Sequence, residues 1–454
     1  MESFDLIVIG SGSGLEVSSE AAARGLSVAI VEQGPFGGTC LNRGCIPSKM
    51  LIHSADVMET VQRAGRFGIK AAVPAVDWQF IVSRVVNVID SDAREAEDGN
   101  RENPNITVLK DTARFVGRKV LEVGGQRITA EAIVIAAGTR PAVPRIEGLS
   151  DVPYITSDEA LRLPEQPRRL IVVGGGYIAA ELAHFFGTLG TEVTIVEIAP
   201  RMLLQEDDDV GDRFTEIYRK RFTLLLNTVV RQARRKDGEI VLEADSAGQR
   251  QTLAADTLLL AVGRIPNTDL LNATGTGVTL DERGFIKVDE YLETEAPGIW
   301  ALGDIVGRFQ LKHSANLEAA YAAHNIFNPK DKVAVDYYAM PHAVFASPQV
   351  AGVGVTEREA VAQNLPYASA TYDYSDTAYG SSIEDSDGFV KALANQETKE
   401  ILGCHIIGTE ASILIQEVAN AMRMRLTTDA ITQSIYVHPA LPEVVQRAFG
   451  ALPL

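Results

Sequence analysis

One arrangement occurs twice in the chain, and it constrains the fold more than any other feature. Leu6 to Gly10 reads as an apolar strand, Gly10-Ser-Gly12-Ser-Gly14 as a turn, Glu16 to Arg24 as a helix, and Ser27 to Val31 as a second strand ending at Glu32. Leu170 to Val173 opens the second copy. It continues through Gly174-Gly175-Gly176, a helix over Tyr177 to Leu189, and a strand from Glu192 to Val196 ending at Glu197. In such a βαβ unit the glycines let the backbone approach a pyrophosphate, and the helix start offers free N–H groups and a positive dipole end. The two acids lie 22 and 23 residues past the first glycines, the spacing at which a carboxylate meets a ribose hydroxyl. Two dinucleotide sites are therefore expected, on Gly10, Gly12, Gly14 and Glu32 and on Gly174, Gly176 and Glu197. Leu15 stands where the pattern has its third glycine, which predicts a slightly wider helix–strand spacing in the first unit. Ala179 fills that place in the second.

The rest of the chain is organised around these units. Its 454 residues suffice for about three domains, and 46% hydrophobic with 22% charged residues is an ordinary globular balance. A formal net charge of −18 repels phosphate backbones and anionic lipid heads, so neither nucleic acid nor a membrane is an expected partner. The opening MESFDLIVIGSGSG has no basic leader, and its apolar run reaches glycines before a signal core or span could form, which predicts a cytoplasmic protein. Strands running into Gly138-Thr139-Arg140-Pro141 and Gly263-Arg264-Ile265-Pro266 would each carry the chain out of a nucleotide domain. A third strand, Ile299 to Leu302, ends at Gly303-Asp304. From about Asp336 the glycine turns stop, and strands such as Ala343 to Ala346 and Gln349 to Val355 alternate with helices near Ala411 to Met424 and Pro442 to Phe449. The expected class is α/β: two Rossmann-like dinucleotide-binding domains, over 1–145 with 266–335 and over 146–265, followed by an α+β domain over 336–454.

The segment Gly37-Gly-Thr-Cys40-Leu-Asn-Arg-Gly-Cys45-Ile-Pro-Ser-Lys49 carries the chemistry. In a reducing compartment a structural disulfide would be unusual, so a close pair points to metal binding or redox work. Zinc would need two further ligands, and no CxxC or HxxxH partner occurs, so no metal is expected. Five helical residues rise about 7.5 Å, beyond the roughly 6.8 Å limit on Cα separation in a disulfide. Cys40 and Cys45 can bond only where the backbone turns irregularly, which Asn42 and Gly44 permit; the alternative is two unpaired cysteines packed in a helix. A small ring of this kind is reducible rather than structural, and it follows the first nucleotide unit, where a cofactor could exchange electrons with it. His438 and Glu443 form a second candidate pair, because thiol exchange needs a base near neutral pH and a carboxylate can fix its tautomer. His53, His184, His313, His324, His342 and His405 show no ligand spacing and are assigned to surface or satisfied core positions. Cys404 is expected to be a buried strand residue, and the acidic run Glu206 to Asp209 a solvated loop.

The string GGTCLNRGCIPSK resembles the active-site signature of the class I flavoprotein disulfide reductases, and the likeness runs along the chain in family order through GGGYIAAE, ALGD and HPALPE. That resemblance implies FAD on the first nucleotide domain, NAD on the second and a C-terminal dimerisation domain. It implies that Cys40 exchanges with the substrate, that Cys45 contacts the flavin, and that Lys49 and Glu181 form an ion pair beside it. Gly10, Gly12, Gly14, Glu32, Gly38, Thr39, Lys49, Gly138 and Asp304 would hold FAD. Gly174, Gly176, Tyr177, Glu197 and Gly263 would hold NAD, with Tyr177 covering the nicotinamide pocket. His438, oriented by Glu443, would reach the cysteine pair of the other subunit in a homodimer. Glu197 would hold an NAD ribose and repel a 2′-phosphate, which favours dihydrolipoamide dehydrogenase chemistry on a lipoyl-bearing carrier protein. The segment Asp376 to Lys391 and the string HPALPEVV are closer to mycothione reductase, making NAD(P)H-dependent reduction of a small disulfide the alternative. A flavin-binding scaffold without turnover is the least favoured reading.

Overall fold

The structure is a computed structural model and describes residues 1–73, 75–246 and 248–454. The strand Glu2–Ile9 is the centre of its first layer. Ile7 and Ile9 enter one core and Leu6 and Val8 another, as expected for a parallel strand covered on both faces. It pairs with Val28–Val31 and with Gln126–Ile135, and Ile106–Leu109 and Ile299–Ala301 extend the parallel sheet on either side. Gln126–Ile135 is long enough to serve two purposes. Its last residues pair with Ile299–Ala301, while its first pair antiparallel with Val120–Val123, itself joined to Ala113–Gly117.

The second unit repeats the plan with Thr223–Leu225, Glu192–Val196, Arg169–Val173 and Thr257–Leu260 side by side and parallel. A meander of Thr228–Lys236, Glu239–Ser246 and Gln249–Ala255 packs on one face, and the helix Tyr177–Thr188 covers the other. The short strands Thr139–Pro141 and Arg264–Pro266, which follow Gly138 and Gly263, pair with each other. The chain therefore leaves and re-enters the first layer along one two-stranded ribbon.

The C-terminal sheet is antiparallel, in the order His342–Val344, Gln349–Gly354, Ile401–Gly408, Phe389–Asn395 and Tyr367–Asp373. The helices Ala411–Arg423 and Glu443–Gly450 cover one face, and Cys404 is buried in that core as expected. The other face meets the second nucleotide domain. Strand register places Val344, Val350, Ile407 and Phe389 in one row there and His342, Gly352, His405 and Lys391 in the next. The apolar row joins a core shared with Phe185 and Phe186 and with Leu51 and Trp78 of the first domain's helices.

The titratable row overturns the expectation of a solvated acidic loop for Glu206 and Asp207, while the side chains of Asp208 and Asp209 are half-exposed. Glu206 and Asp207 are 1% and 0% exposed. Lys391, 3% exposed, reaches Asp207 at 2.9 Å, Asp209 at 2.6 Å and Glu357 at 2.6 Å. A run of acids reads as solvated when its cations lie nearly two hundred residues away, and here they come from another sheet. Among the described residues no helix is long and apolar enough to cross a membrane.

Candidate active site

The first glycine turn forms as its spacing predicts, with one correction. Gly10 has φ +101°, and a Cβ there would lie 2.4 Å from the Ala136 carbonyl oxygen. Gly14 opens the helix Gly14–Ala23, and a Cβ on it would lie 2.8 Å from Val8 Cγ1 and 2.9 Å from Ala136 Cβ. The helix therefore approaches the strand closely, contrary to the wider spacing expected from Leu15, because Gly14 does the work of the displaced third glycine. Glu32 is held at the turn: Oε2 accepts from Ser11 N at 3.0 Å and Ser11 Oγ at 2.7 Å, and Oε1 from Gly34 N at 2.7 Å. Gly38 backs onto Gly12, and a Cβ on Gly38 would lie 2.8 Å from Gly12 Cα. Thr39 follows in the short helix Gly38–Arg43. A cradle that any side chain would fill, with an acid at its edge, fits the pyrophosphate and ribose of FAD.

Asp304 completes that side. Burial raises its carboxyl above the ordinary value despite the Arg264 guanidinium nearby and a hydrogen bond from Thr139 Oγ1 at 3.1 Å. A half-buried carboxylate with one side-chain donor has capacity left for a ligand hydroxyl. Gly138 and Gly263 flank the ribbon behind it, where Ala142 N donates to Gly263 O and Asn267 N to Gly138 O. Sequence reasoning missed Glu318. It is fully buried on the helix Lys312–Phe327, accepts from Gly303 N at 2.5 Å and Tyr337 Oη at 2.8 Å, and is pushed up by burial to about 7. Its position 15 residues past Gly303 carries no local signal.

The second turn leaves Gly176 exposed with open space over its Cα, while Glu197 Cγ lies 2.8 Å from where a Gly175 Cβ would stand. Glu197 Oε1 accepts from Ala199 N at 2.7 Å. Arg201 is paired with Asp208 and, at 3.4 Å, Asp212. Tyr177 begins the helix that also carries Glu181 one turn later.

The cysteine segment breaks where the disulfide argument required. Gly38–Arg43 and Cys45–Arg63 are separate helices meeting at Gly44. A Cβ on Gly44 would lie 2.9 Å from Thr39 O and 3.4 Å from Cys40 Cα, so only glycine lets the chain fold back on Cys40. Asn42 does not take part in the turn. It is buried within the first helix, and its Nδ2 donates to Phe36 O at 2.8 Å and Gly38 O at 3.0 Å. Both cysteines are free thiols, Cys40 half-buried and Cys45 exposed, in hydrogen-bond contact. That bond, together with Lys49 and against burial, brings Cys45 down to about 7. The same bond and burial drive Cys40 far above its ordinary value. Lys49, one turn along the helix from Cys45, donates to both Glu181 oxygens at 2.8 Å and lies 4.6 Å from the Phe345 ring centroid. Phe345 N donates to Glu181 Oε1 at 3.0 Å. The helix bearing Cys45 is thus tied to the helix bearing Tyr177.

His438 and Glu443 also come together. His438 Nδ1 lies 2.9 Å from Glu443 Oε1, and Glu443 Oε2 accepts from Ala440 N at 3.0 Å. The His438 bond holds the Glu443 carboxyl below its ordinary value. The imidazole is 71% exposed, and among the described residues no hydrogen bond joins it to either cysteine of its own chain. Of the other histidines, His184 is a satisfied core residue, held by Asp56 and Thr188. His342 is not bland: its Nε2 lies 3.0 and 2.9 Å from the two Glu206 oxygens, and its ring stacks on Tyr177.

Residues 4–324 match the family described as pyridine nucleotide-disulphide oxidoreductase, and residues 340–449 its dimerisation domain. The chain belongs to the pyridine nucleotide-disulphide oxidoreductases. It is 42% identical to mycothione reductase of Mycobacterium tuberculosis, over 100% of both chains. It is 34% identical to dihydrolipoyl dehydrogenase of Chlamydia muridarum, over 98% of this chain and 95% of the relative. In structure it is similar to the HOCl-induced flavoprotein disulfide reductase RclA of Escherichia coli, with a TM-score of 0.88, 29% identity and 99% coverage of both chains. The expected α/β architecture with a dimerisation domain is therefore that of the family, and its cofactors are FAD and a pyridine nucleotide.

Proposed function

We propose that the chain reduces the disulfide of a small, hydroxyl-rich thiol at the expense of a pyridine nucleotide, as a reductase of the mycothione type. The observation that carries this reading is the greater identity to mycothione reductase over both full lengths, 42% against 34% for dihydrolipoyl dehydrogenase. It reverses the order of preference drawn from Glu197, which bears on the coenzyme and not on the disulfide.

The chain's own groups supply the exchange chemistry. His438 of the partner subunit takes the Cys40 proton, and the Cys40 thiolate attacks the substrate disulfide, forming a mixed disulfide and releasing one thiolate that the imidazolium protonates. Cys45, ionised near neutrality, then attacks Cys40 Sγ, closing the Cys40–Cys45 disulfide and releasing the second thiolate, which takes its proton from water. FAD would be held by Gly12, Gly38, Glu32 and Asp304, and would supply the two-electron relay between the coenzyme and that disulfide. Glu443 orients the imidazole, and the Lys49–Glu181 pair fixes the redox helix against the coenzyme helix. Ile435, Val437, Ile413 and Met424 are exposed on the segment around His438 and its neighbouring helix, a surface that a second copy of the chain would cover.

Oxidation of dihydrolipoyl groups is the second reading, favoured by the coenzyme site. Glu197 lies against the second glycine turn, where this reading puts the ribose, and Arg201 is already paired with Asp208 and Asp212, so a 2′-phosphate would meet a carboxylate and an engaged guanidinium, and NAD is preferred over NADP in this reading. Steady-state kinetics with mycothiol disulfide, glutathione disulfide and dihydrolipoamide at matched concentrations test the proposal. Efficient reduction of mycothiol disulfide with negligible lipoamide turnover is expected, and the reverse result replaces it with the second reading.

A further inference from the structure

We propose that Glu206 and His342 latch the Tyr177 ring, acting as positioning residues that an incoming nicotinamide must displace. The proposal rests on the reading above that this ring covers the nicotinamide pocket. Three groups face one another at the start of the helix. Burial and the facing Glu206 carboxylate, itself buried, push the Tyr177 hydroxyl pKa up. The same carboxylate receives His342 Nε2 at 3.0 and 2.9 Å. The imidazole closes the triangle by stacking on the tyrosine, with centroids 6.2 Å apart and planes 17° from parallel.

Each member is fixed by a different part of the fold. The loop carrying Glu206 is anchored to the second glycine turn by Leu203 N, which donates to Gly175 O at 2.9 Å, and Glu206 N donates to Leu203 O. His342 comes from the C-terminal sheet, opposite Gly352. A Cβ on Gly352 would lie 2.8 Å from His342 Cε1, so the absence of a side chain there gives the imidazole its place. Behind it, His405 Nε2 bonds to Val355 O and burial lowers its pKa, leaving His342 as the imidazole that holds Glu206. Burial opposes charge on both Glu206 and His342, but their mutual bond outweighs it, lowering the acid and raising the base. The carboxylate is therefore ionised and a strong acceptor for the tyrosine. Swinging the ring aside ends that contact and the stack together, and coenzyme binding must offset the loss.

The test is the KM for NADH against kcat in the flavin-loaded enzyme, for Tyr177→Phe, Glu206→Gln and His342→Phe. His342→Phe keeps an aromatic ring, a larger one, and removes both ring nitrogens. Each variant is expected to lower the KM by about threefold to tenfold, the loss of one such bond, with a smaller change in kcat. The double variant Tyr177→Phe with Glu206→Gln should lower the KM no further than the more effective single one, because both act on the contact between the hydroxyl and residue 206. Should Glu206→Gln fail to fold, Tyr177→Phe and His342→Phe carry the test. An unchanged or raised KM in them overturns the latch. Tyr177→Ala separates the two ideas: if it leaves KM and kcat as in the parent, the ring does not cover the pocket. If it moves the KM while Glu206→Gln and His342→Phe do not, the ring covers the pocket without a latch.

Discussion

A thiol at the first position of a long helix, one turn from a lysine and bonded to a second thiol, releases its proton near neutrality, while its neighbour keeps its own. Cys45 is therefore the resting thiolate at about 7, and Cys40 waits for a base. The thiolate absorbance of the reduced protein, with Cys45→Ser as the blank, should titrate near pH 7. Lys49→Met should move that midpoint up by about one unit or more, because the neutralised ammonium no longer favours the anion. An unmoved midpoint would assign the shift to Cys40 alone. His438→Ala should cost about a hundredfold or more in turnover, the contribution of a positioned base, with the far-UV circular dichroism of the parent retained. That these residues stand beside one another was legible because the segment from Gly37 to Lys49 is contiguous. Asn42 was misread because a side chain bonding back to its own helix's entry leaves no mark in a turn-forming pattern.

At the scale of elements, the two glycine turns and their acids could be placed from sequence because strand, turn and helix are adjacent in the chain and their periods are distinct. The spacing rule failed only where one glycine replaced another. Gly14 sits one residue early and still faces Val8 and Ala136. Gly14→Val should therefore cost about 1–3 kcal/mol by overpacking, and flavin should dissociate more readily, read by denaturant unfolding and by released flavin fluorescence. Full stability and retention would show that the helix can shift outward. At the second turn, Glu197→Arg should shift the coenzyme preference towards NADP, and equal kcat/KM with both coenzymes in the parent would remove the argument from that acid.

In the whole molecule the misread features are those whose partners are distant in sequence. Glu206 to Asp209 looked solvated because His342, His405 and Lys391 become its neighbours only through the register of a sheet formed more than a hundred residues later. Lys391→Met should cost about 3 kcal/mol, since it strands the buried Asp207 carboxylate without its cation; a loss below about 1 kcal/mol would mean that water or another cation replaces it. Between subunits, mixing inactive Cys40→Ser and His438→Ala chains should restore about a quarter of parental activity, as half the random dimers hold one intact site. Full activity in a proven monomer would end that reading. The interlocked rows of the C-terminal sheet also bear on descent. A family segment that buries its neighbour's acids cannot be exchanged for a relative's without bringing along the acids' own loop. The two halves of this chain are therefore expected to have been inherited together, and chimaeras joined near residue 336 should fold only when both halves share a parent.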